Sequence, residues 1–364
     1  MTTQTILSQL SRDEFIDIAC KLILRSRKKS ANSHHHKYLV GATTYTQNEE
    51  HKTYLSLANK ILKNLRRAGY TSHDTVGDGN PTVHGEFRAL YRMPGNVLLG
   101  CNTPLCGNCM KSAIMRGVEA IFLDADSMPG AKDENDEVNP WTQERADLWN
   151  DLCLPLARAA QIPIYVVDPE KKKVSILVTG LPPDQRPKPQ HPVEILTPAE
   201  LQAYQQDPKH FLDKENNVRR VIARARSVET GEYFYLHAQD SYPPGFDEIE
   251  GTRMTEKFKD AHYHFTLDPV IHIAMVAAQH GMKLENGKIL ANFIPSSGRQ
   301  LDLAYVGIEE LYYTENHVPE SQDVRHAMQT LSKHNAIHYE SLPLYQGFQK
   351  ILNGHTLPEN EHTP

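Results

Sequence analysis

Six prolines (Pro182, Pro183, Pro187, Pro189, Pro192 and Pro198) stand among polar residues between positions 180 and 198. Each fixes φ and removes an amide donor, so neither a helix nor a central strand can run through the segment. It reads as a semi-rigid linker over 180–198 that divides the chain. A helix begins directly after it. In Thr197-Pro198-Ala199-Glu200 the threonine can cap, the proline suits the first helical position, and Glu200 stands where a capping box needs it. A chain of 364 residues, at ~100–200 residues per domain, accommodates two domains, over 1–179 and 199–345, with a polar tail over 346–364.

Both sides alternate between helical and β-rich patterns. Before the linker, a helix starts near Ser11, with Glu14 three residues on and Phe15, Ile18, Ala19, Leu22 and Ile23 on one face. The pattern then predicts a strand over 38–45, an amphipathic helix over 55–65, and a strand over 97–101. Next come a helix over 110–116, a strand over 118–123, a helix over 141–160 and a strand over 162–167. After the linker, runs 220–226 and 232–239 flank Thr230-Gly231 as a hairpin. A helix over 269–280, a strand over 289–293, a helix and a strand over 310–314 follow. A helix carrying Val324, Ala327, Met328 and Leu331 then leads to a strand over 337–342. Such alternation points to a layered α/β architecture: two tandem three-layer domains, each a mixed sheet flanked by helices.

Composition narrows the classes. Hydrophobic residues at 39% and charged residues at 23% exclude wholesale disorder. Lys+Arg 39 against Asp+Glu 45 gives a net charge of -6, which argues against phosphate-backbone binding driven by global charge and leaves only local basic grooves. Such grooves would come from the clusters Arg25 to Lys29, Arg66-Arg67 and Arg219 to Arg226, each of which also reads as a solvated face. No apolar run is long enough to span a membrane and the first residues are polar, so neither a membrane nor a secretory signal is expected. Five cysteines, an odd number with two of them as Cys-x-x-Cys, suit a reducing, cytoplasmic compartment better than a disulfide scaffold. Cys20 and Cys153 lie in apolar helical patterns and read as packing thiols.

The chemistry concentrates in Pro81-Thr82-Val83-His84-Gly85-Glu86 and Thr103-Pro104-Leu105-Cys106-Gly107-Asn108-Cys109. One imidazole and two thiolates supply three zinc ligands and leave a tetrahedral position open, which is the catalytic rather than the structural arrangement. A Cys-x-x-Cys at a loop-to-helix junction favours thiolate through the helix dipole. Rival readings are a redox pair, or a structural zinc with Cys101 as fourth ligand, although Cys101 closes an apolar strand and suits packing. His34-His35-His36 reads as a solvated loop. Asp124 and Asp126 follow a strand, where they either meet a ligand or cap the loop.

This set resembles the signature of the cytidine-deaminase-like superfamily of zinc deaminases, His-x-Glu followed by Pro-Cys-x-x-Cys. Asn80 to Glu86, Cys109 to Arg116 and Ile121-Phe122 are most similar to the branch of tRNA adenosine deaminases and guanine deaminases. Cys106-Gly107-Asn108-Cys109 resembles the Cys-Gly-x-Cys of nucleoside cytidine deaminases, and Leu105 is an insertion between proline and cysteine. The resemblance covers residues 80–122. It implies zinc on His84, Cys106 and Cys109, Glu86 as the proton carrier, and Gly85 as a substrate contact through its amide; Pro104 and Asp124, the latter by its place after a strand, are further candidate substrate contacts. The implied reaction is hydrolytic removal of an exocyclic amine from a nucleobase in a free base, nucleoside or nucleotide, with release of ammonia. The alternatives are an RNA or tRNA base deaminase and a non-enzymatic zinc-stabilised binding protein.

The second half offers a degenerate echo. Val83-His84-Gly85-Glu86 aligns with Ile271-His272-Ile273-Ala274, and Pro104 to Cys109 aligns with Pro295 to Gln300, which sets Ser297 against Cys106 and Gln300 against Cys109. Ala274 cannot move a proton, and Ser and Gln are poor zinc ligands. The expectation is a catalytically inactive deaminase-like half that partners the first as an intramolecular pseudo-dimer, or within a homodimer.

Overall fold

The computed structural model describes residues 5–35, 39–47, 51–77, 79–128, 143–206, 218–258, 265–284, 287–314 and 321–352. Helix α1 (Arg12–Ser30) starts at the expected capping box, with Ser11 accepting from the Glu14 amide and Glu14 reaching back. It lies on a hairpin of β1 (Gly41–Gln47) and β2 (Lys52–Ala58), after which come β3 (Lys60–Ile61) and α2 (Lys63–Arg67). The helix expected over 55–65 is therefore mostly strand. Its apolar residues have helical spacing, but Tyr45 pairs with Tyr54 and Thr43 with Ser56 across the hairpin, and sheet pairing overrides the local pattern. The strand expected over 38–45 runs later, and position 38 lies outside the described residues.

The first half continues through β4 (Thr82–Val83), α3 (Gly85–Arg92), β5 (Leu98–Cys101), α4 (Gly107–Arg116) and β6 (Ala120–Asp124). Helix α5 (Gln143–Leu148) passes through a π-helical turn (Trp149–Cys153) into α6 (Leu154–Ala159), and β7 (Ile164–Asp168) and β8 (Lys173–Val178) close the half. Position 141, where the α5 pattern was expected to begin, lies outside the described residues. The sheet order is β2-β1-β5-β6-β7-β8, parallel through β5, β6 and β7 and antiparallel at both edges.

The proline-rich segment is anchored at both ends. Arg186 donates to the carbonyls of Leu181, Val118 and Glu119 in the first half. Past Pro192, β9 (Glu194–Leu196) is an edge strand of the second sheet, a position that tolerates nearby proline. Helix α7 (Pro198–Gln206) then starts at the expected Thr197/Glu200 box.

The second half comprises β10 (Arg220–Ser227), β11 (Tyr233–Gln239), α8 (Glu248–Lys257), α9 (Pro269–Gln279), β12 (Met282–Lys283) and β13 (Gly287–Ala291). It ends with α10 (Ser297–Val306), β14 (Ile308–Thr314), α11 (Gln322–Lys333), β15 (His338–Leu342) and α12 (Leu344–Leu352). Its sheet runs β9-β11-β10-β13-β14-β15, with β12 beside β10. From the hairpin inward, its order and strand senses match those of the first sheet. Helix α12 falls where a polar tail was expected from 346. Phe348 and Ile351 have no exposed surface and pack with Leu290 and Tyr312, so the first residues of that expected tail form an amphipathic helix held by the sheet.

Each sheet has an outer and an inner face. Residues of α1 form the outer cluster of the first sheet, and residues of α7 and α12 that of the second. The inner faces share one cluster that joins Leu90, Met110 and Leu156 to Ile271, Met275 and Leu301. The two halves thus bury a common core rather than two separate ones. No helix among the described residues is long and apolar enough to cross a membrane.

Candidate metal centre

Strand β4 delivers His84 to the N-cap of α3, in extended backbone conformation (φ -63°, ψ 142°). Gly85 follows at a close approach, since a Cβ there would lie 3.0 Å from the Ala58 carbonyl carbon. Beyond β5, the buried Pro104 leads the chain to Cys106, the N-cap of α4, and Cys109 lies in that helix's first turn. Two helix N-termini therefore converge, and their dipoles favour negative charge on the sulfurs.

His84 Nδ1 lies 3.6 Å from Cys106 Sγ and 3.4 Å from Cys109 Sγ. The three donor atoms all fall within 4.8 Å of one another. A tetrahedral zinc with N and S ligands at its usual bond lengths would separate such donors by ~3.6 Å. The set fits the ion. His84 and Cys106 stay partly accessible as residues while Cys109 is buried. Among the described residues this is the one such group, and Cys101, wholly buried at the end of β5, is outside it. Cys153 is also buried and donates to the Leu105 carbonyl, and Cys20 is buried on the inner side of α1.

A thiol–thiolate hydrogen bond from Cys109, with His84 beside it, holds Cys106 well below the usual thiol range. Burial disfavours charge on His84, but the Cys106 sulfur, Glu86 and Asp302 outweigh it, and the imidazole is pushed up to about 9. Glu86 is 2% exposed and its Oε2 has no hydrogen-bond partner. Burial raises its pKa above the ordinary carboxylate value. An orphaned buried carboxylate oxygen beside a three-donor group is a polar atom in need of a partner.

The expected substrate contacts fare differently. The Gly85 amide donates to Asn59 Oδ1 at 2.7 Å, so a side chain the sequence reading passed over takes the place assigned to substrate. Asp124 was expected to face substrate. Instead, Arg27 of α1 grips it through Nε at 2.6 Å and Nη2 at 2.7 Å, and it caps the turn that follows β6. Arg27 also binds Asp126, which removes it from any basic groove. His34 accepts from the Ile61 amide and lies 2.9 Å from Lys60, whereas His36 is outside the described residues.

The second half supplies charge that sequence reasoning did not anticipate. Asp302 of α10 is buried, paired with Arg299, and near enough to bias His84 and Cys106. Lys111 of α4 is 2% exposed and donates to the Thr266 carbonyl at 3.2 Å. Asp268 caps α9 and lies 3.6 Å from Arg219.

No family model matches this chain. No curated protein matches it either. Among solved structures, it is similar to the dCMP deaminase of cyanophage S-TIM5, in complex with dCMP and dUMP and in apo form. Identity is 15% in both. The match covers 40% of this chain and 99% of the liganded one, with a TM-score of 0.25, and 100% of the apo one, with a TM-score of 0.24.

The two halves correspond differently from the sequence alignment. Asn102 follows β5, accepts from the Gly41 amide at 2.7 Å and donates to the Leu39 carbonyl at 3.1 Å. Asn292 follows β13, accepts from the Arg220 amide at 2.6 Å and donates to the Val218 carbonyl at 2.8 Å. Left-handed glycines, Gly117 and Gly307, end α4 and α10. Counting from these anchors sets Ser296 against Cys106 and Arg299 against Cys109, not Ser297 and Gln300. At the other helix the N-cap facing His84 is Asp268, while His272 lies a turn inside α9. Matching short motifs by residue type slipped the register, because helix starts, not identities, set the correspondence. Gln300 holds the Pro295 carbonyl and accepts from Tyr339.

Proposed function

We propose that this protein is a hydrolytic deaminase that removes the exocyclic amine of a nucleobase, in a free base, nucleoside or nucleotide, with zinc held by His84, Cys106 and Cys109. The observation that carries the reading is the buried Glu86 carboxylate, whose Oε2 has no hydrogen-bond partner, within electrostatic reach of His84 and Cys106 in the three-donor group. Bound zinc would supply Lewis acidity, which lowers the pKa of a coordinated water to about 7. The chain's residues do the rest. Glu86 takes one proton from the attacking water and gives it to the ring nitrogen, then passes the second, from the added hydroxyl, to the departing amine. The C–N bond breaks, a C–O bond forms, and ammonia leaves. Burial keeps competing water from Glu86, and Asn59 fixes the first turn of α3 through Gly85.

The second half is proposed as an inactive counterpart, since Asp268, Ser296 and Arg299 stand where the first half has its ligands. Its shared core with the first half supports an intramolecular pseudo-dimer. An RNA substrate is the second reading, favoured by that paired arrangement. All five cysteines are free, which suits the proposed cytoplasmic location.

The test is an ammonia-release screen over bases, nucleosides, nucleotides and tRNA, with zinc measured on the same sample. Glu86→Gln should keep one zinc and lose ~10²–10⁴ in rate. A wild type that holds zinc and releases no ammonia from any of these would instead favour a zinc-stabilised binding protein.

A further inference from the structure

Helix α3 carries Glu86 on one side. Two residues on, ~200° round the helix, Arg88 lines a cavity of about 390 Å³ that the metal centre does not use. Lys60, Lys63, Arg66 and Arg92 line it too, with His34 at one wall, and no carboxylate is among its lining residues. Among the described residues none of these five cations forms an ion pair. Like charges surround them: Lys60 feels Arg88, Lys29 and Arg66, His34 feels Lys60, Arg66 and Arg88, and Arg88 feels Arg92, with only the Tyr305 hydroxyl to offset it.

Arg88 is the telling member. It is 8% exposed, one guanidinium nitrogen donates to the Ala58 carbonyl, and its Nε has no partner. Tyr305 of α10 lies beneath it, with the guanidinium carbon 5.1 Å from the ring centroid, and Arg92 sits over the same ring at 5.3 Å. A buried guanidinium with an idle donor, among like charges, is unfavourable until an anion joins it. Burial and the neighbouring cations also depress Lys60 below the usual lysine range. In a chain of net charge -6 this concentration is local. Arginine forks suit phosphate oxygens, and the volume is that of a small-molecule pocket.

We propose that the cavity between α2, α3 and α10 binds the phosphate groups of a small phosphorylated ligand, with Arg88 as the buried anchor and Lys63, Arg66 and Arg92 at the rim. Both halves build it, since Tyr305 and Ala304 come from the second. The site does not depend on the deaminase reading, because binding alone reads it out.

The test titrates the full chain with pyrophosphate by calorimetry. The expected result is saturable 1:1 binding that weakens at least tenfold in Arg66→Gln/Arg92→Gln, whose exposed side chains leave the fold intact, and that is unmoved by Lys21→Gln on the outer face of α1. Nucleoside diphosphates and a single-stranded RNA oligonucleotide distinguish the phosphate's source. Nucleotides that compete with pyrophosphate support the proposal. Absent pyrophosphate binding, binding indifferent to the double variant, or binding of RNA alone overturns it.

Discussion

Cys106 and Ser296 hold the same post, each the N-cap of the helix that follows a buried strand and an asparagine clamp. One helix then presents a second sulfur, and the other presents Arg299. The histidines near them differ as sharply. His84 stands outside its helix against two sulfurs and is pushed up to about 9. His272 lies inside α9, its Nδ1 without a partner, and burial pushes it down to about 4. The comparison teaches that the strand order, the clamp and the left-handed glycine maintain the backbone, while three side chains decide whether the end of the sheet can hold a metal.

The strongest test of this contrast exchanges those side chains. Cys109→Ser should empty the protein of zinc and abolish ammonia release, whereas Ser296→Cys with Arg299→Cys should gain no zinc, because the counterpart of His84 is Asp268, which already caps α9 and pairs with Arg219. Metal content by mass spectrometry decides it, and zinc in the second half would break the comparison.

A smaller effect separates the histidines. The folded pKa of His272, about 4, lies below the unfolded value of ~6.5. Between the two the unfolded chain binds the extra proton, so stability is complete above pH ~6.5 and declines as pH falls toward 4, by at most ~3 kcal/mol. His272→Leu should flatten that slope in denaturant melts between pH 7 and 4. An unchanged slope would remove His272 as its source.

Smallest is the clamp. Asn102→Ala and Asn292→Ala should each cost ~1–3 kcal/mol, by leaving strand amides and carbonyls unpaired. Denaturation midpoints that fall in one variant and not the other would show that the two halves are held differently.

Much of this was legible in the chain. Capping boxes at Ser11 and Thr197 marked helix starts because their chemistry is local, and β-rich runs marked the inner strands. The three-donor group of His84, Cys106 and Cys109 was legible because few residue types bind metal ions and their spacing is tight. The segment 55–65 was not, because its strand state depends on β1. Asp124 reads from the sequence as either a ligand contact or a loop cap, and only the approach of α1, which brings Arg27 to it, goes with the cap. Asn59, Lys111 and Asp302 carry no local signature, and their meaning comes from neighbours distant in sequence.

By itself, then, the sequence determined two alternating α/β halves, the proline-rich crossing between them and the His84, Cys106 and Cys109 set, since turn chemistry, periodicity and ligand type act over a few residues. Only the tertiary structure decided that both sheets share one core, that the second half's counterparts are Asp268, Ser296 and Arg299, and that five cations meet without a carboxylate. Those outcomes depend on which surfaces bury one another, and burial is set by the whole fold.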